Sequence, residues 1–328
     1  MLKYLKIITF VLLSNFLFSV SAFSMSADEF TKLCENGTLE EVKKAIASGA
    51  DVNSKASFWG VPPLMLAVDN KQDSEAIIKE LIKAGADVNI KGPNGITALM
   101  LALNNQNSLE LITRLIQAGA EVNAKSDDGA ATPLLMAIVK ERDLSIIQAI
   151  IKAGANVNYK TPKGITALIA AAEVNKDPAV IQTLLKSGAD TSVTTEYGDN
   201  VLLVAISNNK NPAVAIALIK AGLDVNQANR VTPLMRTIID NADIEVSRAL
   251  IKAGANVNSQ EEHGVTALMF AASNKKKVDM LKELIKAGAD VNLKNQMGCS
   301  ALEVAQDKNN TEAIEALLNA GANSSGCN

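Results

Sequence analysis

Apolar and polar residues alternate along this chain with a helical period, and the helical stretches are of two kinds that take turns. One kind ends in LIKAGADVN, spelled identically at Leu81–Asn89 and Leu284–Asn292 and approximated around seven further glycines. Its Leu and Ile face inward, its Lys sits in the last turn where the helix dipole favours a cation, and its Gly admits the left-handed conformation that stops a helix. The Asp or Asn that follows, and the closing Asn, have side chains that hydrogen-bond nearby backbone in turns, with Val packed beneath. The phrase therefore encodes a helix exit and a turn.

Aligned on that glycine, the copies fall at Gly49, Gly85, Gly119, Gly154, Gly188, Gly222, Gly254, Gly288 and Gly321, at intervals of 32 to 36 residues. Such a period predicts stacked repeating units and displaces the two or three domains that 328 residues would otherwise suggest. About ten residues after each glycine the second kind begins: GVPPLMLAV at Gly60, GITALMLAL at Gly95, TPLLMAI at Thr132 and GITALIAAA at Gly164. It continues as GDNVLLVAI at Gly198, VTPLMRTI at Val231, GVTALMFAA at Gly264 and GCSALEVAQ at Gly298. Thr is an N-cap residue and Pro suits the first turn, so each phrase opens a short helix whose alanines let a neighbour approach. After a polar connector the other helix starts, with Asp177–Pro178 and Asn211–Pro212 as cap and first position, and with capping-box spacing from Asn107 to Glu110.

A turn, a TPLH-like helix, a connector, a second helix and a closing GADVN resemble the ankyrin repeat, in phase over residues 26–323. The resemblance implies an all-α solenoid: a turn plus an antiparallel helix pair per repeat, curved, with turns and inner helices lining a concave face. It divides the sequence into an N-terminal cap repeat at 26–53, repeats starting near 60, 95, 129, 164, 198, 229 and 264, a C-terminal cap repeat at 298–323 and a tail at 324–328, about nine repeats in one domain. Where the family usually has the His of TPLH, this chain has Met65, Met100, Leu135, Ile169, Leu203, Met235, Met269 and finally Glu303. The apolar members are expected in the helix interface, the rival being a methionine-rich ligand stripe. Glu303, with Glu312, Glu315 and Asn319, is expected on a water-exposed end face.

Residues 1–22 differ from all this. Lys3 and Lys6, the apolar run IITFVLLSNFLF and the small residues SVSA describe a secretory signal peptide cleaved near Ala22, leaving the domain at 23–328. The rival is an uncleaved anchor, but Ser14 and Asn15 interrupt a run already short of the roughly 20 apolar residues a spanning helix needs. Cleavage removes two lysines and no acid, taking the formal charge from −3 to −5. That charge offers no basic field for nucleic acid. Export points to a bacterial periplasm or to secretion from a bacterium.

Three cysteines are too few for a disulfide framework. Cys34 belongs to the first unit and is expected as a small buried residue, whereas Cys299 and Cys327 both belong to the C-terminal end and are expected as a bridge that staples the tail.

Candidate chemistry is sparse. His263 is the single histidine and lies in QEEHG, a turn tip. No CxxC, HExxH, GxGxxG or GxxxxGKS pattern occurs, and neither DDG at Asp127 nor EEHG at Glu261 has an alternating-ligand loop. No metal, no cofactor and no catalytic residue are expected. The expected function is an exported module that binds a protein partner through its turn tips and concave face, as a monomer, without a membrane span in the mature chain. The alternative is an enzyme or metal-dependent factor using the acidic turn residues near His263. Partner-binding candidates are the aromatics among polar tip residues, Phe58, Trp59, Tyr159 and Tyr197, and the amides at the ends of the first helices, Asn104 and Asn208 together with Asn70, Asn105, Asn209 and Asn274. The rings have a second reading, as packing against neighbouring turns.

Overall fold

A computed structural model describes residues 25–57, 60–105, 107–324 and 326–327. The proposed signal peptide, with its cleavage site near Ala22, lies outside the described residues, as do Phe58 and Trp59. Among the described residues there are eighteen α-helices and no strand, as the all-α expectation requires. Contacts divide the chain into two compact units, before and after the Glu121–Val122 bond.

The first compact unit holds α1 (Ala27–Asn36), α2 (Leu39–Ala47), α3 (Pro63–Val68), α4 (Ser74–Lys83), α5 (Ala98–Asn104) and α6 (Leu109–Gln117). The second holds α7 (Pro133–Val139), α8 (Leu144–Lys152), α9 (Ala167–Val174), α10 (Pro178–Lys186), α11 (Val201–Asn208) and α12 (Pro212–Lys220). It continues with α13 (Pro233–Ile239), α14 (Ile244–Lys252), α15 (Ala267–Ala272), α16 (Val278–Lys286), α17 (Ala301–Asp307) and α18 (Thr311–Asn319). Odd-numbered helices are the first of each pair and pack on the first helix of the next, α1 on α3 and α3 on α5, then α7 through α17 in order. Each also packs on its own second helix.

Short helices need strong ends, because each leaves backbone groups unpaired at both termini. The hydroxyls of Thr97, Thr132, Thr166, Thr232 and Thr266 accept the N–H three residues on. Asp177 and Asn211 accept from Ala179 and Ala213, with proline at the first helical position. At α6 the cap is Ser108 rather than Asn107: Ser108 Oγ accepts from Leu111 at 3.1 Å, and the Asn107 amide instead turns to the Val68 carbonyl at 3.4 Å. At the other ends the nine repeat glycines take φ between 82° and 95°. A Cβ there would meet nothing within 4 Å, so conformation alone selects glycine.

The alanines of the first helices, among them Ala102, Ala137, Ala171, Ala271 and Ala305, are buried and set the close helix spacing. Met65, Met100, Leu135, Ile169, Leu203, Met235 and Met269 are all buried too, which assigns the row to the core and removes the ligand-stripe reading. Glu303 departs from expectation: it is 7% exposed. It completes a capping box with Ser300 and accepts the Gly326 N–H at 3.2 Å, because the tail folds back over the last first-helix. Cys299 and Cys327 are joined there, with Cα atoms 4.5 Å apart, and Cys34 is buried. No described helix is long and apolar enough to cross a membrane.

Candidate binding surface at the turn tips

The closing Asn of the repeat phrase binds the next unit. Its Nδ2 donates to the next repeat glycine carbonyl and its Oδ1 accepts the N–H two residues beyond that glycine. Asn53 and Asn89 do so in the first compact unit. Asn123, Asn158, Asn226, Asn258 and Asn292 do so in the second. These amides are spent on the scaffold, whereas the tip residues beyond them differ from unit to unit.

Tyr159 is spent in the same way. Its hydroxyl donates to the Gly129 carbonyl at 2.8 Å and the Lys125 ammonium lies 4.5 Å from its ring centroid, so the ring locks one tip to the preceding one. Tyr197 differs, standing 77% exposed. It borders a recess of about 410 Å³ with Glu196, Asp199, Asn229, Arg230 and Arg236. Asn229 fixes the rim by donating to the Tyr197 carbonyl at 2.8 Å and to Asp199 at 3.0 Å. Arg230 holds φ at 60°, and Arg236 rises from α13 with its guanidinium 3.8 Å from Asp240. A ring beside two guanidinia, with two carboxylates near, can stack on a partner side chain and receive its carboxylate or carbonyl groups.

The candidate amides have unlike surroundings within their own compact units. Asn104, in the first compact unit, is exposed and donates to Asn105 at 2.9 Å, and Asn105 in turn binds Asp69. Asn208, in the second, is exposed at the end of α11. Asn70 and Asn209 face inward: Asn70 donates to the Cys34 and Gly37 carbonyls, and Asn209 to those of Ala172 and Asn175. Asn274 caps the turn at Lys276. Arg236 was legible but missed: its place on the first helix is held elsewhere by Leu66, Leu101, Met136, Ala170, Val204, Phe270 and Val304.

At the His263 tip, donor atoms of Glu261, Glu262 and His263 lie within 4.8 Å of one another, the one such grouping among the described residues. Glu261 Oε1 already accepts the His263 and Val265 N–H groups at 2.8 and 2.9 Å, so that carboxylate shapes the turn. Glu262 lies 3.5 Å from His263 Nε2, with both side chains largely in water.

A family model described as ankyrin repeats (three copies) matches residues 30–126, 134–229, 202–295 and 234–325. Among solved structures the chain is similar to the ankyrin repeat domain of Bcl-3, described as a unique member of the IkappaB protein family. The two are 27% identical with a TM-score of 0.59, over 69% of this chain and 99% of that one. No curated protein matches.

Proposed function

The chain belongs to the ankyrin-repeat family, and we propose that it is an exported protein-interaction module of nine units, without chemistry of its own, that captures a protein partner on its turn tips. The observation that carries this reading is the division of labour among the tips. Closing asparagines and Tyr159 are consumed by bonds between units, whereas Tyr197 stands free in a recess with Arg230 and Arg236. Exposed aromatic and arginine side chains in a recess are the residue types that dominate interface energetics, at about 2 kcal/mol or more for the strongest anchors. Resemblance to the Bcl-3 ankyrin domain supports the scaffold role and leaves the partner's identity open. Export rests on the composition of residues 1–22. The experiment is crosslinking from the native compartment, comparing the natural chain with Tyr197→Ala and Arg236→Ala. Loss of one specific protein from both variants supports the reading, and an unchanged set of crosslinks removes the recess from it. A mature mass that still includes residues 1–22 removes cleavage.

A further inference from the structure

The connector between the two helices of a unit passes a side-chain donor back to the unit before it. In the second compact unit Asn175 donates to the Ile138 carbonyl at 3.4 Å, Asn209 to the Ala172 carbonyl at 3.0 Å, and Asn310 to the Ala272 carbonyl at 2.9 Å. All three carbonyls hold the same place near the end of a first helix, where intrahelical donors run out. Two connectors turn through a left-handed residue of one kind, Asn309 at φ 50° and Asn241 at φ 56°. Each sends the next N–H back to the first helix, Asn310 to Ala305 and Ala242 to Thr237, both at 2.9 Å. The side chains at that next position differ: Asn310 has a carboxamide and Ala242 a methyl group.

A methyl group donates nothing. The Ile206 carbonyl, the counterpart in α11 of those at Ala172 and Ala272, receives no hydrogen bond from the described residues. Beside it a cleft of about 340 Å³ opens, lined by Ile206, Asn208, Asn209, Asp240 and Ala242 among others. At about 30 Å³ per liquid water, it holds far more than a packing gap.

We propose that this cleft is a docking site for the carboxamide side chain of an Asn or Gln on a partner polypeptide. That side chain supplies from outside the donor that Asn310 supplies from within. Charges of both signs surround the cleft and roughly balance, so they favour neither a cation nor an anion there. Asp240 already accepts Ser207 Oγ at 2.7 Å and faces Arg236, Asp243 accepts the Glu245 N–H at 2.9 Å, and Lys210 stands on the rim. A carboxamide brings two N–H donors and one acceptor without adding charge. The site is at the connector end of the helices and does not depend on the recess at Tyr197.

The test is a titration of the isotope-labelled full chain, followed by amide NMR, with acetyl-Gly-Gln-Gly-amide and the same peptide carrying Asn, Met, Glu or Arg at its centre. Saturable shifts at Asn208–Asn211 and at Ala242 are expected for the Gln and Asn probes, about tenfold weaker for Met, the loss of roughly one buried hydrogen-bonded group. Ala242→Asn, with Ala242→Gln as a second variant, fills the cleft from within and is expected to weaken the response about tenfold while raising the thermal midpoint. Four results each overturn the proposal: equal response to the Met probe, preference for the Arg or Glu probe, no saturable shift with any probe, or an unchanged response in either folded variant.

Discussion

Ser192 donates its hydroxyl to the Asp190 carboxylate at 2.7 Å, at the place from which Asn158 and Asn226 reach forward to the next unit. Both residues belong to the same turn, so the bond is local and the link between units is missing. Among the described residues no side chain donates to the Gly222 carbonyl and none accepts the Asp224 N–H. Ser192→Asn is expected to restore both bonds and stabilise the chain by about 1 kcal/mol, since exposed rungs compete with water. Asn158→Ala should cost a similar amount. Urea unfolding of the two variants checks the pair, and a destabilised Ser192→Asn protein would defeat the argument.

Thr237 and Ser247 form the one buried hydroxyl pair between two helices of a unit among the described residues, 2.7 Å apart, where most sibling units have alanine and a large aliphatic such as Ile147 or Ile181, and one has Ala215. A cavity of about 200 Å³ adjoins them, bordered by Ala242 and Met280. Thr237→Ala alone leaves the Ser247 hydroxyl buried without its partner and should cost about 1–3 kcal/mol. The double change Thr237→Ala with Ser247→Ile restores the sibling arrangement and fills part of the cavity, so it should be more stable than the natural chain. A double-mutant cycle in denaturant measures both terms; equal destabilisation by the single and double variants would refute the packing account.

Thiol reactivity separates the cysteines. Burial pushes the Cys34 thiol up to about 12, so it stays protonated and unreactive at neutral pH. Native protein without reductant should therefore show no fast thiol, and denatured protein one. After reduction, Cys299→Ser and the reduced natural chain should both free the tail and expose Glu303, which now holds the Gly326 N–H. Quantitative alkylation before and after unfolding decides this, and three thiols in the unreduced denatured chain would dismiss the bridge.

Much of this was legible because the signals are local. A Thr three residues before the N–H it caps, a Gly that must turn left-handed and a period near 34 residues are all read along the chain, and the helices follow them. The errors have the opposite character. Asn70, Asn209 and Asn104 are chemically alike, yet the first two turn inward because carbonyls more than thirty residues away need donors. Glu303 reads as a solvent-facing cap residue until the tail, with Cys327, closes over it. Ser108 displaced Asn107 as a cap because Asn107 has a carbonyl of the preceding unit to satisfy. Bonds between units decide these cases, and a single unit's sequence does not contain them.

Acid should loosen the N-terminal helices first. Glu29 accepts the Ser26 backbone N–H and then its hydroxyl, Glu41 does the same with Thr38, and these bonds hold both carboxyls below their ordinary range. A folded-state value lowered in this way gives stability that is complete above the unfolded carboxyl's range and is lost as pH falls through the folded value. Hydrogen exchange of α1 and α2 should therefore accelerate below the usual glutamate range ahead of α9 and α11, which Thr166 and Asn200 cap without a carboxylate. Uniform acceleration of all four helices would count against the capping boxes as the cause.

Tyr159 and Tyr197 make the sharpest test of where recognition resides, because one ring is bonded within the protein and the other is not. Tyr159→Phe removes the bond to the Gly129 carbonyl and keeps the ring under Lys125, so it should cost roughly 0.5–1.5 kcal/mol of stability and leave partner capture intact. Tyr197→Ala removes a ring that is 77% exposed, so stability should hardly change while capture falls. Paired measurements of unfolding and of crosslinked partner in the two variants give four numbers. If both variants lose stability and both keep the partner, Tyr197 is a scaffold residue and the recess it shares with Arg230 and Arg236 is not the contact surface.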